Sequence, residues 1–232
     1  MNESMINGPS LLNPPFFYQT HFWTFSSSAT SGAAEWLRET GVGTGSFTVS
    51  ATAQNGRALI ESGASANDTA IISLPGEPIL VQRGRAVSFK AKFQMEDADQ
   101  DQCFVGVSER GGLTNGSVLA KIATAIDGFG FYQNHATGGT ATLRWCCGNG
   151  TSQTTGSTGV ILADGTDVTV EARYVGQEVV RFYVNGVEVG QCRDTLPSAQ
   201  GYSFFIQERT LDTGADYISV DYAIVHSNAD NL

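Results

Sequence analysis

Two residues, Asn185 and Gly186, constrain the fold of this chain most, because they separate two runs of alternating apolar residues. Asn-Gly is the preferred pair for a two-residue type I′ turn, in which both central residues need positive φ. A two-residue turn also fixes the register of the hairpin. Three pairs of facing residues follow: Val184 with Val187, Tyr183 with Glu188, and Phe182 with Val189.

One face of this predicted hairpin is apolar and carries Phe182, Val184, Val187 and Val189. The preceding strand, residues 167–175, alternates in the same way. Three antiparallel strands with one apolar face need a second sheet to cover that face. The sequence therefore predicts an all-β fold, a two-sheet antiparallel sandwich.

The rest of the chain fits this architecture, with about a dozen short strands at a spacing of 8–12 residues. Residues 85–95 alternate most clearly, and residues 101–109 are predicted as their hairpin partner. In the last strand, Val220 and Tyr222 are predicted to face the core. Residues 16–25 are too apolar to be left as an open edge, so they are predicted to pair antiparallel with residues 216–226. A short helical turn is predicted within residues 33–38, and residues 111–126 are predicted to form either one helical turn or a covering loop. Further strands are predicted at residues 16–25, 46–53, 57–62, 68–74, 128–134, 140–147, 202–207 and 217–226, with a polar loop at 148–159.

Composition and charge narrow the classes of partner. The 232 residues carry a net charge of −10, so phosphate backbones and anionic membranes are disfavoured as partners. No signal peptide or membrane span is apparent, so we expect synthesis in a cytoplasm. One sandwich domain is predicted over residues 16–232, preceded by an extended arm over residues 1–15.

Four cysteines, at positions 103, 146, 147 and 192, match no zinc signature. We expect reduced thiols, at least half of them buried. A Cys147–Cys192 or a Cys103–Cys146 bridge is the alternative.

Three aspartates, Asp97, Asp99 and Asp101, resemble the start of a calcium loop, but Gln102 and Ser108 replace the glycine and glutamate that an EF-hand requires. An acidic turn is the simpler interpretation. Calcium held by another geometry at a sandwich rim stays open. The sequence otherwise predicts no metal ligands and no cofactor.

A glycosidase needs two carboxylates about 5–10 Å apart, and no strand carries such a pair. Glu171 would be the first residue to test. The chain is therefore predicted not to be an enzyme. We expect the tryptophans Trp23, Trp36 and Trp145 to fill the core, although exposed rings would be able to stack on sugars.

Several motifs carry a family resemblance: RFYVNGVEVG, the Leu196-Pro197 loop, YSFFIQERT and DYISVDYAIV. They resemble the C-terminal half of concanavalin A-like (laminin G-like) jelly rolls. Together with VSFKAKFQM, DQCFVGVSE and GFGFYQN upstream, they resemble virion proteins of tailed bacteriophages that decorate the head. The resemblance implies a non-enzymatic decoration or cement protein on the capsid surface of the virion. Its partner would be the major capsid protein lattice, and a homo-oligomer is expected.

The N-terminal arm is the predicted partner-binding segment, because its apolar residues must fold back on the sandwich or dock on a neighbour. They are Leu11, Leu12, Pro14, Pro15, Phe16 and Phe17. The alternative function is a lectin-like, glycan-binding module for host attachment on a capsid or tail fibre. The fold is compatible with both functions.

Overall fold

A computed structural model describes residues 16–20, 37–39, 46–49, 57–82, 85–110, 117–175, 178–198 and 200–229. Within these ranges the chain forms sixteen strands and one short helix. Their bounds are β1 (Phe16–Thr20), β2 (Leu37–Glu39), β3 (Ser46–Val49), β4 (Ala58–Glu61), β5 (Thr69–Ser73), β6 (Ile79–Val81), β7 (Arg85–Met95), β8 (Asp101–Ser108), α1 (Val118–Ile122), β9 (Asp127–Gln133), β10 (Thr142–Asn149), β11 (Gln153–Ile161), β12 (Val168–Val175), β13 (Val179–Val184), β14 (Val187–Cys192), β15 (Gln200–Thr210) and β16 (Tyr217–Ala229). In these parts of the chain, no helix is long and apolar enough to cross a membrane.

The strands form two antiparallel sheets, which confirms the predicted sandwich. Sheet I has the order β14-β13-β12-β7-β16-β4-β3, and β1 also pairs with β16. Sheet II has the order β11-β10-β9-β8-β15-β5-β2, and β6 also pairs with β15. The predicted hairpin between β7 and β8 is wrong, because β7 lies in sheet I and β8 in sheet II. Each strand already has two neighbours in its own sheet, and the connection, residues 96–100, passes from one sheet to the other at the end of the sandwich.

The β13–β14 turn has the predicted type I′ geometry, with φ of 49° at Asn185 and 82° at Gly186. The pairs Val184–Val187 and Tyr183–Glu188 are confirmed. The third pair is wrong, because a β-bulge places Gly190, and not Val189, opposite Phe182. The indole of Trp145 explains why a glycine takes this place, since a Cβ at position 190 would overlap the ring. The apolar face of the hairpin is also shorter than predicted, because Val187 is 65% exposed.

A second bulge interrupts β16 between Val220 and Tyr222. Val220 is buried as predicted, but the prediction that Tyr222 lies in the core is wrong. The bulge moves Tyr222 opposite Lys92 on the outer face and turns Ala223 inward. The side chain of Asp221, at the bulge, accepts a hydrogen bond of 3.0 Å from Lys92.

Two further predictions need correction. Residues 153–161, predicted within a polar loop, form the edge strand β11. Its small and hydroxylated residues suit that position, because the Trp145 ring lies where a Cβ at Gly156 would be. Leu37 and Arg38, predicted in a helical turn, belong to β2, which pairs with β5.

The first and last strands meet as predicted. β1 runs antiparallel to β16, from Phe16 opposite Ser227 to Thr20 opposite Ala223. Phe16 and Phe17 therefore belong to sheet I. The other predicted arm residues, Leu11, Leu12, Pro14 and Pro15, lie outside the described residues, as do Trp23 and Trp36.

The core between the sheets is built from alternate residues of both. The inward residues of β7 are all buried, as its alternation predicts. Aromatic rings form the centre of this layer. Phe89 contacts Phe129, Phe131 and Phe204 at ring-centroid distances of 6.0, 6.3 and 5.3 Å. Phe182 packs edge-on against Phe131 at 5.6 Å.

Phe182→Ala should lower the free energy of unfolding by about 3–5 kcal/mol, because the fully buried ring leaves a cavity against Phe131 and Trp145. Urea unfolding measures this loss. The matched control is Val187→Ala in the same hairpin, where the exposed side chain should contribute less than about 0.5 kcal/mol. A loss below about 1 kcal/mol for Phe182→Ala would show that this face of the hairpin is not the core.

Candidate functional site

The outer face of sheet II is covered by a second, smaller apolar cluster. Helix α1 lies over this face, and its buried residues Val118, Leu119 and Ile122 pack on the sheet. Of the two alternatives predicted for residues 111–126, the structure shows the helical turn. The cluster consists of Ile71, Phe104, Val118, Leu119, Ile122, Ile126, Tyr132, Cys146 and Phe205.

A single buried amide fixes the helix to the sheet. The Gln207 Oε1 atom accepts hydrogen bonds from the main-chain N–H groups of Val118 (2.9 Å) and Leu119 (3.1 Å). Its Nε2 atom donates to Ser117 Oγ at 2.8 Å. Ser117 in turn caps the helix by accepting from the N–H of Ala120. Gln207 is fully buried, and both ends of its amide are hydrogen-bonded to the start of the helix. Helix α1 is therefore a structural cover of the sheet.

This outer face carries no acidic pair on strands β5, β8, β9, β10, β11 and β15. The acidic residues of these strands, Asp101, Asp127 and Glu208, share the parity of core residues and point inward. Asp127 is held there by Tyr202, whose hydroxyl donates to Asp127 Oδ1 at 2.6 Å. The covered face of sheet II therefore offers no two carboxylates for glycoside hydrolysis.

Acidic residues instead gather where five loops meet at one end of the sandwich. We call this region the acidic end. It comprises Glu96, Asp97, Asp99, Asp101, Asp164, Glu208, Asp212 and Asp216.

Hydrogen bonds join the loops of the acidic end. The main-chain N–H of Gly138 donates to the carbonyl of Asp99 at 2.9 Å, and that of Leu211 donates to the carbonyl of Gln100 at 2.8 Å. The N–H of Ala98 donates to Asp164 Oδ1 at 2.8 Å. The three sequence-predicted aspartates thus belong to this end, as part of a turn between the two sheets.

Two acidic side chains of this end enter the core. The β8–β15 register sets Asp101 opposite Thr210 and Glu208 opposite Cys103, so both carboxyls lie on the inner face of sheet II. Both residues have 0% exposure. Burial, reinforced by repulsion from Asp216, raises the pKa of Asp101 to about 9. Burial, reinforced by repulsion from Asp101, raises the pKa of Glu208 to about 10.

The pKa values of two further acids of this end, Asp97 and Asp216, are raised less. Burial and the neighbouring Asp99 raise the pKa of Asp97 to about 6. Burial also raises the pKa of Asp216, whose carboxylate accepts from Thr210 Oγ1 at 3.3 Å. Among the described residues, no three His, Cys, Asp or Glu side chains form a ready ligand set for a metal ion.

All four cysteines are buried free thiols, which confirms their expected burial. Cys147 and Cys192 meet at Thr195: the Cys147 thiol donates to the Thr195 carbonyl at 3.3 Å, and Cys192 Sγ lies 3.4 Å from Thr195 Oγ1. Burial raises the pKa of Cys147. The hydrogen bond from Cys147 lowers the pKa of Cys192. These two thiols therefore behave as one hydrogen-bonded pair between the sheets.

Trp145 lies at the edge of the core. Its indole stacks on Phe182, with ring centroids 4.9 Å apart and an interplanar angle of 17°, and it is only 8% exposed. Glu171 forms an ion pair with Arg173 on the outer face of sheet I. The structure does not bring either residue to the acidic end.

The sequence analysis missed Glu208 and Asp216. Glu208 carried a usable signal, because Phe204, Ile206 and Glu208 alternate on one face of β15. A carboxyl at a core position of a strand predicts a raised pKa. Asp216, which follows a loop, has no such periodic signal.

Comparison with known proteins identifies the fold. The peanut lectin structure, solved with a nine-residue peptide, matches with a TM-score of 0.64 at 14% identity, over 93% of this chain and 98% of the lectin. Lectin II from Ulex europaeus matches with a TM-score of 0.61 at 9% identity, over 92% and 98%. An endo-1,3-β-glucanase from Streptomyces sioyaensis matches with a TM-score of 0.58 at 14% identity, over 91% and 95%.

The fold is the concanavalin A-like jelly roll. No protein-family model and no curated protein sequence matches the chain. At these identities the likeness shows the fold, which lectins and glucanases share, and function has to be argued from the surface of this chain.

The buried acids should make this protein less stable at alkaline than at mildly acidic pH. Asp101 and Glu208 have folded-state pKa values above the ordinary values of about 4. Their contribution is therefore fully present below about pH 4 and is lost as the pH rises toward 9. We expect Tm to fall from pH 4.5 to pH 9 in scanning calorimetry.

The control for this pH profile is the double variant Asp101→Asn/Glu208→Gln, whose amides carry no charge. Its Tm should depend much less on pH over the same range. Starting at pH 4.5 avoids the opposite effect of Asp167, where hydrogen bonds from Arg57 and Lys92 outweigh burial and lower the pKa. A parent profile that rises with pH would contradict the assignment.

Proposed function

We propose that this protein is a non-catalytic, lectin-like module that binds glycans. The match to two lectins over more than nine-tenths of this chain and of each lectin supports the proposal. The observation that carries it is the polar surface of the acidic end, together with the absence of an acidic pair on the described strands of the covered face of sheet II. A jelly roll that binds without catalysis needs a polar ligand surface but no acid pair. The chain has such a surface at its acidic end.

The outer face of sheet II argues against the alternative of a hydrolase. Glucanases with this fold exist, one of them being the Streptomyces enzyme. Here, however, α1 and the apolar cluster beneath it cover that face, and no carboxylate pair projects from its described strands. An enzyme of this class would have to open a cover that Gln207 holds with three hydrogen bonds.

The acidic end suits neutral or amino sugars better than anionic ones. Sugar hydroxyls and ammonium groups are donors, and exposed carboxylates such as Glu96 and Asp99 accept from them. Tyr217 provides a half-buried ring beside Glu96, whose N–H donates to the Tyr217 carbonyl at 3.0 Å. An aromatic ring next to acceptors is a common arrangement for sugar recognition. Sialylated or sulfated glycans would be repelled.

A glycan array probed with the full chain should show binding to neutral or amino-sugar glycans. The double variant Glu96→Gln/Asp99→Asn should weaken that binding about tenfold or more, because it replaces acceptors with amides. Glu178→Gln is the matched control, since Glu178 is exposed at the opposite end of the sandwich. Array binding confined to anionic glycans, or release of reducing sugar from a β-glucan, would contradict the proposal.

A second candidate is a virion structural protein that binds the outside of a phage capsid lattice as a decoration or cement protein. The observation that favours it is the pairing of β1 with β16, because this strand ties the preceding arm, residues 1–15, to sheet I. An extended arm gains area at low ordering cost when prolines limit its freedom, and a lattice multiplies weak contacts. The partner would be the major capsid protein, and the module would form a homo-oligomer on the capsid surface.

Deletion of residues 1–15 tests this second candidate. The truncated chain should keep the Tm of the parent, because β1 begins at Phe16. Its occupancy on purified phage heads, measured by quantitative mass spectrometry, should fall, or its oligomer should dissociate. Unchanged occupancy and an unchanged oligomeric state would show that the arm has no such role, and absence of the full chain from heads would exclude decoration.

A further inference from the structure

The acidic end contains most of the buried polar atoms that lack a partner. Among the described residues, nine buried side-chain nitrogen or oxygen atoms make no hydrogen bond, and seven of them belong to this end and its neighbouring glutamines. All seven are oxygens, and they act only as acceptors when the carboxyl groups are ionised. They are Asp97 Oδ1, Gln100 Oε1, both carboxylate oxygens of Asp101, Gln133 Oε1 and both carboxylate oxygens of Glu208. Folded proteins leave few such atoms unpaired, and a concentration of acceptors calls for a positive ligand.

The sheet register groups three of these side chains tightly. Gln133 and Glu208 flank Cys103 on the neighbouring strands β9 and β15, and Asp101 lies two residues before Cys103 on β8. All three residues have 0% exposure. Asp101 is the diagonal neighbour of both Gln133 and Glu208, at about 5–8 Å between Cβ atoms. Gln133 and Glu208 are two strands apart, at about 10 Å, and their long side chains can approach each other only above Cys103.

The amide of Gln133 has a fixed orientation. Its Nε2 atom donates to the Ala98 carbonyl at 2.6 Å, and a carbonyl at that distance requires a donor. The atom left over is therefore the oxygen, Oε1, which finds no partner. Gln133 thus adds a neutral oxygen ligand beside the two carboxyl groups.

No described ion pair neutralises these carboxyls. The described ion pairs of Arg57, Lys92, Lys121, Arg173 and Arg181 are formed with acids elsewhere on the molecule. Arg209, next to Glu208 in sequence, points to the opposite face of sheet II, where it donates to Gln102 and Asn67. The polar groups nearest to them are another acid, Asp216, beside Asp101, and the hydroxyl and N–H of Ser62 beside Glu208. The buried acids therefore lack the basic partner that such groups normally have.

We propose that the acidic end binds a divalent cation, Ca²⁺, with Asp101 and Glu208 as anionic ligands and Gln133 Oε1 as a neutral ligand. Ca²⁺ prefers oxygen ligands and tolerates six to eight of them in irregular geometry, whereas Mg²⁺ demands a near-ideal octahedron. Softer metals are disfavoured because the donors are oxygens. His135 Nε2 already lies 2.9 Å from the Ala98 carbonyl, and burial raises the pKa of Cys103, which keeps it a neutral thiol.

The rest of the coordination shell comes from groups around the three ligands. Asp216 lies near Asp101, and it is only half-buried. Because fewer than three acidic, His or Cys side chains converge among the described residues, water and main-chain carbonyls complete the shell. This site lies on the inner face of sheet II and does not depend on glycan binding.

The test is calcium binding by the full chain after dialysis against a chelator at pH 8. Isothermal titration calorimetry with CaCl₂ should show uptake of one ion per chain. At a calcium concentration about one hundred times Kd, Tm should rise by about 5 °C or more. MgCl₂ at the same concentration should raise Tm by less than half as much.

The variants separate this site from general attraction of cations to an acidic protein. Asp101→Asn/Glu208→Gln preserves shape and should lose both the heat of binding and the calcium-dependent rise in Tm. Its Tm in chelator should not be lower than that of the parent. Glu171→Gln, which removes a charge from the outer face of sheet I, should keep the full response. Absence of calcium uptake by the parent, or an equal response in the double variant, would overturn the proposal without bearing on glycan binding.

Discussion

The structure depends on how Trp145 is packed between the two sheets. The ring stacks on Phe182 of sheet I and takes the space that a Cβ would need at Gly156 of β11 and at Gly190 of β14. This contact joins the edge strands of both sheets and closes one side of the sandwich. It also accounts for the bulge in β14, because only a residue without a side chain fits opposite Phe182. A local substitution at either glycine would therefore disturb the pairing of a whole edge.

At the acidic end, carboxyl groups and not apolar side chains occupy positions in the core. There the apolar inner face of sheet II stops at Cys103, and the next positions on the same face are Glu208 and Asp101. Two fully buried carboxyls have a large desolvation cost when ionised, so they must be protonated or bind a cation. Neutral pH lies well below the raised pKa of either group, and protons alone would keep both neutral. A cation would compete with those protons. The Oε1 atom of Gln133, which has no hydrogen-bond partner, would give the cation an additional ligand.

Local sequence patterns predicted what depends on neighbouring residues. The alternation in β7, the Asn185-Gly186 turn and the meeting of β1 with β16 were all visible as periodicity or turn chemistry. The bulge that turns Tyr222 outward could not be seen in the sequence pattern. It is accompanied by a contact between Asp221 and Lys92, which are far apart in sequence. The sequence also did not show which of the two sheets contains β8, because the residues of this strand suit either sheet. At the acidic end, the three aspartates of one loop were visible, but their convergence with Glu208 required the register of β15.

The cover on sheet II shows why a shared fold does not transfer an activity. Lectins and a glucanase match this chain over almost their whole length, so the fold is compatible with both binding and catalysis. In this chain, Gln207 anchors α1 over an outer face to which strands β5, β8, β9, β10, β11 and β15 contribute no acids, and the acids of these strands turn inward. The outer face of sheet II is thereby used for stability, and polar groups remain accessible on the outer face of sheet I and where the loops meet. The loops at the end of the sandwich suit ligand recognition best, because side-chain identity can change there without altering the packing of either sheet.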